Sequence, residues 1–188
     1  MNTPPPLPAA NSFVTVLARI SLVLAALGVA WALAQMLFAL LLPDAVVARL
    51  AAQPELPRGV LWTLEHRHAL SLALLLVAGL FLAAAWGLLR RREWARMAFI
   101  LLLVGGALAN FAALALIGPF FDGLQDMFPA EMLASPEGQR FAAQMQFNRT
   151  VTLVTSLAGA LVFAALHGWI VWKLCTPAVR DQFRSAPR

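Results

Sequence analysis

The sequence predicts an all-α polytopic membrane protein, a four-transmembrane-helix bundle with amphipathic segments in both outside loops. Three observations carry that expectation. Hydrophobic residues make up 61% of the 188 residues, against roughly 45–50% in soluble domains. Charged residues are 12%, against roughly 25%. The apolar residues also gather into four runs of about 20, the length that crosses a bilayer as a helix. Backbone polar groups in hydrocarbon must be satisfied within their own segment, and these runs are far too long for barrel strands, so each is read as a helix.

The elements follow in chain order. Residues 1–19 form a tail that carries the proline cluster "TPPPLP" and is read as cytoplasmic. Span one covers residues 20–42. "ALA" before Gln35 imitates a signal-peptidase site, but no charged segment precedes the run and "MLFALLL" continues past it, so the span is expected to stay. The outside loop 43–67 opens at Pro43 with "DAVVARLAAQ", a short helical pattern whose first turn is acidic. Span two (68–89) reaches the turn 90–96, "RRREWAR", and span three (97–118) follows. In the second outside loop, 119–150, Phe120, Phe121, Leu124, Met127 and Phe128 fall on one helix face. That face is expected to lie in the membrane interface, with Asp122, Gln125 and Asp126 toward water. "SPEGQRF" then supplies Ser135 as N-cap, Pro136 at the first helical position and Glu137 near the positive helix end. No proline follows Pro136 before Leu174, so span four (151–174) is expected to continue beyond the bilayer as one helix; residues 175–188 form the last tail.

Charge sets the direction of insertion. With the N-terminus inside, the inside segments hold nine basic residues against Glu93 and Asp181, and the outside loops five against seven acids. The excess of Lys and Arg inside predicts cytoplasmic termini. Arg90, Arg91, Arg92, Arg96 and Lys173 are accordingly read as topology determinants or lipid-headgroup contacts, with Trp86 and Trp94 at headgroup level. On that reading, replacing the arginines by lysine should change nothing. The net charge of +5 is then a membrane feature, and with no basic, aromatic-interleaved soluble surface no nucleic-acid partner is expected.

No Asp, Glu, Lys or Arg lies within a span interior, Lys173 standing at the inner end of span four, which argues against a proton-coupled pump. Gln35, Ser71, Asn110, Thr152, Thr155, Ser156 and His167 remain, and Gln35, Asn110, Thr155, Ser156 and His167 are read as interhelical polar groups or pocket residues. Gln35, Asn110 and Ser156 fall at one depth in the outer half and are expected to be able to meet; His167 lies nearer the inner end. Small residues recur at fours: Gly79, Ala83 and Gly87 in span two; Gly105 and Ala109 in span three; Ser156, Ala160, Ala164 and Gly168 in span four; Ala26, Ala30 and Ala34 in span one. Lipid tails are as apolar as leucine, so such rows are read as surfaces of close helix approach.

Little chemistry is written into the chain. Cys175 is the one cysteine, which excludes an intramolecular disulfide. Glu65, His66 and His68 lack a recognised ligand spacing, and neither metal nor cofactor is expected. Ser156 and His167 stand about 16 Å apart along one helix axis, too far for a nucleophile and its base, so no enzyme is expected.

Three stretches carry a resemblance: "SFVTVLARI" entering span one, "GLLRRREWAR" between spans two and three, and "WIVWKLCTPAVRDQF" leaving span four. They resemble those of a bacterial group of small four-span inner-membrane proteins, in which the last stretch reads as a Lys-Leu pair, a small residue, Pro and an acidic-Phe end. Here Gln182 stands where the acid is common. The resemblance implies a bacterial inner-membrane address and the four-span topology; it implies no activity. The expected function is a scaffold or accessory subunit whose partners are the lipid bilayer and other membrane proteins or a second copy. The alternative is a small homo-oligomeric transporter or channel using the outer polar level.

Overall fold

The apolar runs are helical except at Leu42 and at a turn over Ala115 and Leu116, which divides the third run between two helices. The computed structural model describes residues 13–52 and 58–184. The proline cluster at residues 4–8, Glu55 and Arg188 lie outside the described residues, as do the side chains of Arg58 and Arg184. The helices are α1 (Phe13–Leu41), α2 (Asp44–Ala51), α3 (Arg58–Glu65), α4 (Arg67–Leu89), α5 (Glu93–Leu114), α6 (Ile117–Gln125), α7 (Ala130–Ala134), α8 (Pro136–Cys175) and α9 (Pro177–Arg184). No strand occurs among the described residues. Four stretches are long and apolar enough to cross a membrane: α1, α4, α5 continuing into α6, and α8. Trp31, Leu37, Phe38, Leu101, Leu108 and Val162 are each more than half exposed, an apolar surface that water would not tolerate and lipid would. The protein is an all-α, multi-pass membrane protein.

The spans form two antiparallel hairpins, α1 with α4 and α5 with α8. The first is the closer. Ala18, Ala25, Ala32 and Ala39 recur every seven residues along α1 and all are buried, with Val14, Ser21, Gly28, Gln35 and Leu42 filling the alternate positions of the same seam. A 3.5-residue repeat of small side chains keeps one face of α1 on α4 through its whole length and lets the backbones approach. Ala26, Ala30 and Ala34, expected on the packing face, are exposed on the other side. Steps of four residues drift by about 40° each around a helix of 3.6 residues per turn, so a long row at fours cannot stay on one neighbour. The same drift takes the row of α8 from buried Ala160 through half-buried Ala164 to exposed Gly168, Ser156 being half-buried; in α4 Gly87 is buried, Gly79 half-buried and Ala83 exposed, and in α5 Gly105 and Ala109 are exposed.

The hairpins share a core at the end where both chain termini lie. Val14 and Ala18 of α1, Ala84 and Leu88 of α4, Ala95, Phe99 and Leu103 of α5, and Ile170 and Leu174 of α8 pack together there. Phe81 stacks on Phe99 with centroids 5.3 Å apart, and Phe13 meets Trp169 edge-on at 5.5 Å. Beyond Leu103 no residue of α5 is buried, so the hairpins part toward the loop end, where α3 touches α6.

Three local outcomes differ from the sequence reading. The tail after span four is not free: Pro177 starts α9, and Val179 and Phe183, four residues apart on one face, are buried in the shared core. Residues 58–65, read as loop, form α3. The amphipathic face of the second loop is broken, because α6 ends at Gln125 and Phe128 turns away to pack on Phe141 of α8 with centroids 4.8 Å apart. Ser135 caps α8 by accepting from the Gly138 N–H at 3.0 Å. The helix then runs unbroken for 40 residues, about 60 Å, twice the hydrocarbon thickness of about 30 Å.

Candidate functional site

The polar residues of the spans do not line one pocket. Gln35 belongs to the alanine seam of α1 and so faces α4, away from α8. It lines a pocket at the loop end with Phe38 and Ala39 of α1, Leu42 just after it, Thr63 and Leu64 of α3, and Arg67, Leu70, Ser71 and Leu74 of α4. Asn110 and Ser156 do come together, lining an open groove between α5 and α8 with Ala113, Leu114, Ile117, Gly159, Ala160 and Phe163. The reason for the split is register: depth was legible from residue count, but the face each side chain takes was not.

The groove presents unpaired polar chemistry. Asn110 is exposed on an apolar span, and neither it nor Ser156 makes a side-chain hydrogen bond among the described residues. Thr155 is different: its hydroxyl donates to the Val151 carbonyl of its own helix at 2.8 Å, so its donor is used locally and only its acceptor lone pairs remain for a neighbour. His167 lines a second pocket two turns toward the termini, with Val104, Ala107, Leu108 and Phe111 of α5 and Ala164, Gly168 and Val171 of α8. Its Nδ1 is buried with no hydrogen-bond partner among the described residues.

At the termini end the arginines hold the protein together. The turn between α4 and α5 closes with the Arg92 N–H on the Gly87 carbonyl at 2.9 Å and the Arg91 N–H on the Leu88 carbonyl at 3.0 Å. This is the paired helix-end motif that normally takes glycine in the left-handed position. Here Arg91 occupies it, at φ 55. Its guanidinium donates to Thr15 Oγ1 of α1 and Gln182 Oε1 of α9, both at 2.8 Å. Burial lowers its pKa from the ordinary arginine value. Arg96 is 6% exposed and donates to both oxygens of Glu93, at 3.1 and 2.5 Å, and to the Leu174 carbonyl of α8 at 3.2 Å. Arg90 lies over the Trp86 ring at 4.9 Å and Lys173 over Trp172 at 5.7 Å, while Arg92 is exposed. Of the five basic residues read as one topology cluster, Arg91 and Arg96 are spent on tertiary contacts.

The left-handed backbone at Arg91 has a test of its own. Arg91→Gly relieves a left-handed cost of about 1–2 kcal/mol and loses two side-chain bonds to α1 and α9; Arg91→Ala loses the bonds and keeps the strain. In detergent unfolding the alanine variant should be the weaker of the two, by about 1 kcal/mol. Equal midpoints would mean that the backbone at Arg91 carries no strain.

The loop-end pocket contains the residue that sequence reading passed over. Arg67 entered that reading only as a loop charge, yet its side chain is 12% exposed. Nε donates to the Ala39 carbonyl at 3.4 Å, Nη1 to the Leu64 carbonyl at 3.1 Å, and Nη2 to Asp44 Oδ1. It thereby fastens α1, α2 and α3 to the start of α4. The signal available was its place beside the first apolar residues of a span, where a cation must pair or reach for water. Nearby, His66 stacks on Trp62 at 4.7 Å and its Nδ1 lies 2.9 Å from the Trp62 carbonyl. Among the described residues no three His, Cys, Asp or Glu side chains gather as metal ligands do.

Compared with known proteins, the chain matches no family model, no curated protein and no solved structure.

Proposed function

We propose that this protein is a non-enzymatic scaffold or accessory subunit of a bacterial cytoplasmic membrane, with both termini in the cytoplasm, that associates with other membrane proteins through the open face of α5 and α8. The observation that carries this reading is Asn110: a carboxamide exposed on an apolar span, with no hydrogen-bond partner among the described residues, beside the small residues Ala113, Gly159 and Ala160. Lipid tails can neither donate nor accept. A transmembrane helix carrying one polar residue can do both, and small residues let it come close, at roughly 0.6 kcal/mol per interhelical bond. The sidedness rests on the excess of Arg and Lys in the segments at the termini end, and Trp86, Trp94, Trp169 and Trp172, each about half exposed or more at that end, support an interface there. The alternative, a homo-oligomeric transporter, keeps Asn110 and Ser156 as its polar lining and loses Gln35, which faces α4.

Native mass spectrometry of the protein extracted gently from its own membrane is the test. A complex with a different membrane protein is expected, reduced several-fold by Asn110→Leu while the variant folds as the parent does. A closed homo-oligomer that retains a small solute, and loses the solute in Asn110→Leu while folding as the parent does, would overturn the accessory-subunit reading.

A further inference from the structure

The loop-end pocket is built differently from the groove and points to a ligand of its own. Arg67 holds its rim with three of its five guanidinium N–H groups committed, to Ala39, Leu64 and Asp44, which leaves two donors. Asp44, 94% exposed at its side chain, bonds through Oδ1 and keeps Oδ2 toward solvent. The rim is therefore a cation and an anion side by side. One turn deeper stand Ser71 of α4 and Gln35 of α1. Since Arg67 bonds Ala39 across the hairpin, residues four further along each antiparallel helix share a level, about 6 Å below the rim. Neither Gln35 nor Ser71 makes a side-chain hydrogen bond among the described residues, and both line the cavity of about 280 Å³. Leu74, three residues past Ser71, continues it inward as an apolar wall, and Phe38, next to Ala39, flanks it at the rim.

We propose that this pocket binds one phospholipid whose headgroup carries a phosphate and a primary ammonium, as in phosphatidylethanolamine. The phosphate takes the two spare N–H groups of Arg67, and the ammonium takes Oδ2 of Asp44. The ester carbonyls accept from the Ser71 hydroxyl and the Gln35 carboxamide, and an acyl chain runs inward past Leu74. The order of chemistry down the pocket (charge pair, neutral donors, apolar wall) is the order of chemistry down such a lipid. A soluble phosphate would use the rim and leave the donors and the apolar wall without a role. The site is independent of the α5–α8 face.

The test titrates delipidated protein in detergent with phosphatidylethanolamine, phosphatidylglycerol or glycerol 3-phosphate and counts bound molecules by native mass spectrometry. One phosphatidylethanolamine is expected, held several-fold tighter than phosphatidylglycerol, with no binding of glycerol 3-phosphate at matched concentration. Arg67→Gln should weaken it at least tenfold, and Asp44→Asn should abolish the preference between the two lipids. Because Arg67 also ties helices together, Leu74→Trp provides a second variant that fills the apolar wall and leaves the charge pair in place; it too should lose the lipid. Arg90→Gln with Arg92→Gln, at the opposite end, should leave binding unchanged. The proposal fails if Leu74→Trp binds as the parent does, if loss follows Arg90 and Arg92 instead, if phosphatidylglycerol is held equally well by the parent, or if glycerol 3-phosphate competes.

Discussion

Substituting Gly87 by alanine should cost about 2–3 kcal/mol of stability, read as a lowered midpoint when the detergent-solubilised protein is unfolded by heat or by dodecyl sulfate. A Cβ at this position would fall 2.5 Å from the Ala95 Cβ and 3.0 Å from the Trp94 ring. The indole is 55% exposed and can swing aside. Ala95 cannot, because its Cβ is fixed to the first turn of α5, and that turn is bound to α4 through the Arg92 N–H on the Gly87 carbonyl. Relief therefore requires α5 to shift away from α4, and the shift opens the core under Leu88 and Phe99, which are 0% and 1% exposed. Gly79→Ala is the control. Nothing lies within 4 Å of a Cβ there, and alanine is the better helix former by about 1 kcal/mol, so this variant should be neutral or slightly stabilised. Similar losses at both glycines would show that the close approach at Gly87 does not exist.

The contrast between those two glycines is also the measure of what could be read in advance. Both were assigned to one row at fours in span two, and only one of them touches a neighbour. Span existence and number were legible because hydrocarbon demands runs of about 20 apolar residues, and that demand is local in sequence. Which face of a span packs is set by the partner helix, and in an alanine-rich chain rows at fours and at sevens coexist. The sevens of Ala18, Ala25, Ala32 and Ala39 are the ones that pack. The same limit separated Gln35 from Asn110 and Ser156. Composition also misled at the ends: α9 has too few apolar residues to stand out, yet its two core residues, Val179 and Phe183, lie at helical spacing and are both buried. Arg67 and Arg96 were counted as charges, since nothing in a one-dimensional reading distinguishes an arginine facing headgroups from one whose donors reach three helices.

Arg96 shows what that distinction is worth. If its role were only to keep the turn on one side of the membrane, lysine would serve as well, because the positive-inside preference counts charge. Its geometry requires more than charge. The guanidinium spans both oxygens of Glu93 and the Leu174 carbonyl in the last turn of α8. The Leu174 carbonyl belongs to the group of final-turn acceptors that an α-helix leaves without an intrahelical partner, so Arg96 caps α8 from α5 and brings a cation to its negative end. An ammonium carries its three donors on one nitrogen and cannot make the planar two-oxygen contact while reaching the carbonyl. Arg96→Lys should therefore lose about 2 kcal/mol, and Arg96→Met, which leaves the Glu93 carboxylate and the carbonyl without this donor, about 3 kcal/mol. Hydrogen exchange gives the local readout: α9 sits on the end of α8 that Arg96 fixes, so amides of Val179 to Phe183 should exchange faster in both variants while those midway along α1 and α4 stay protected. Unchanged exchange and stability in Arg96→Lys, with topology preserved, would return Arg96 to the role of a charge marker and remove the clamp from the account of this fold.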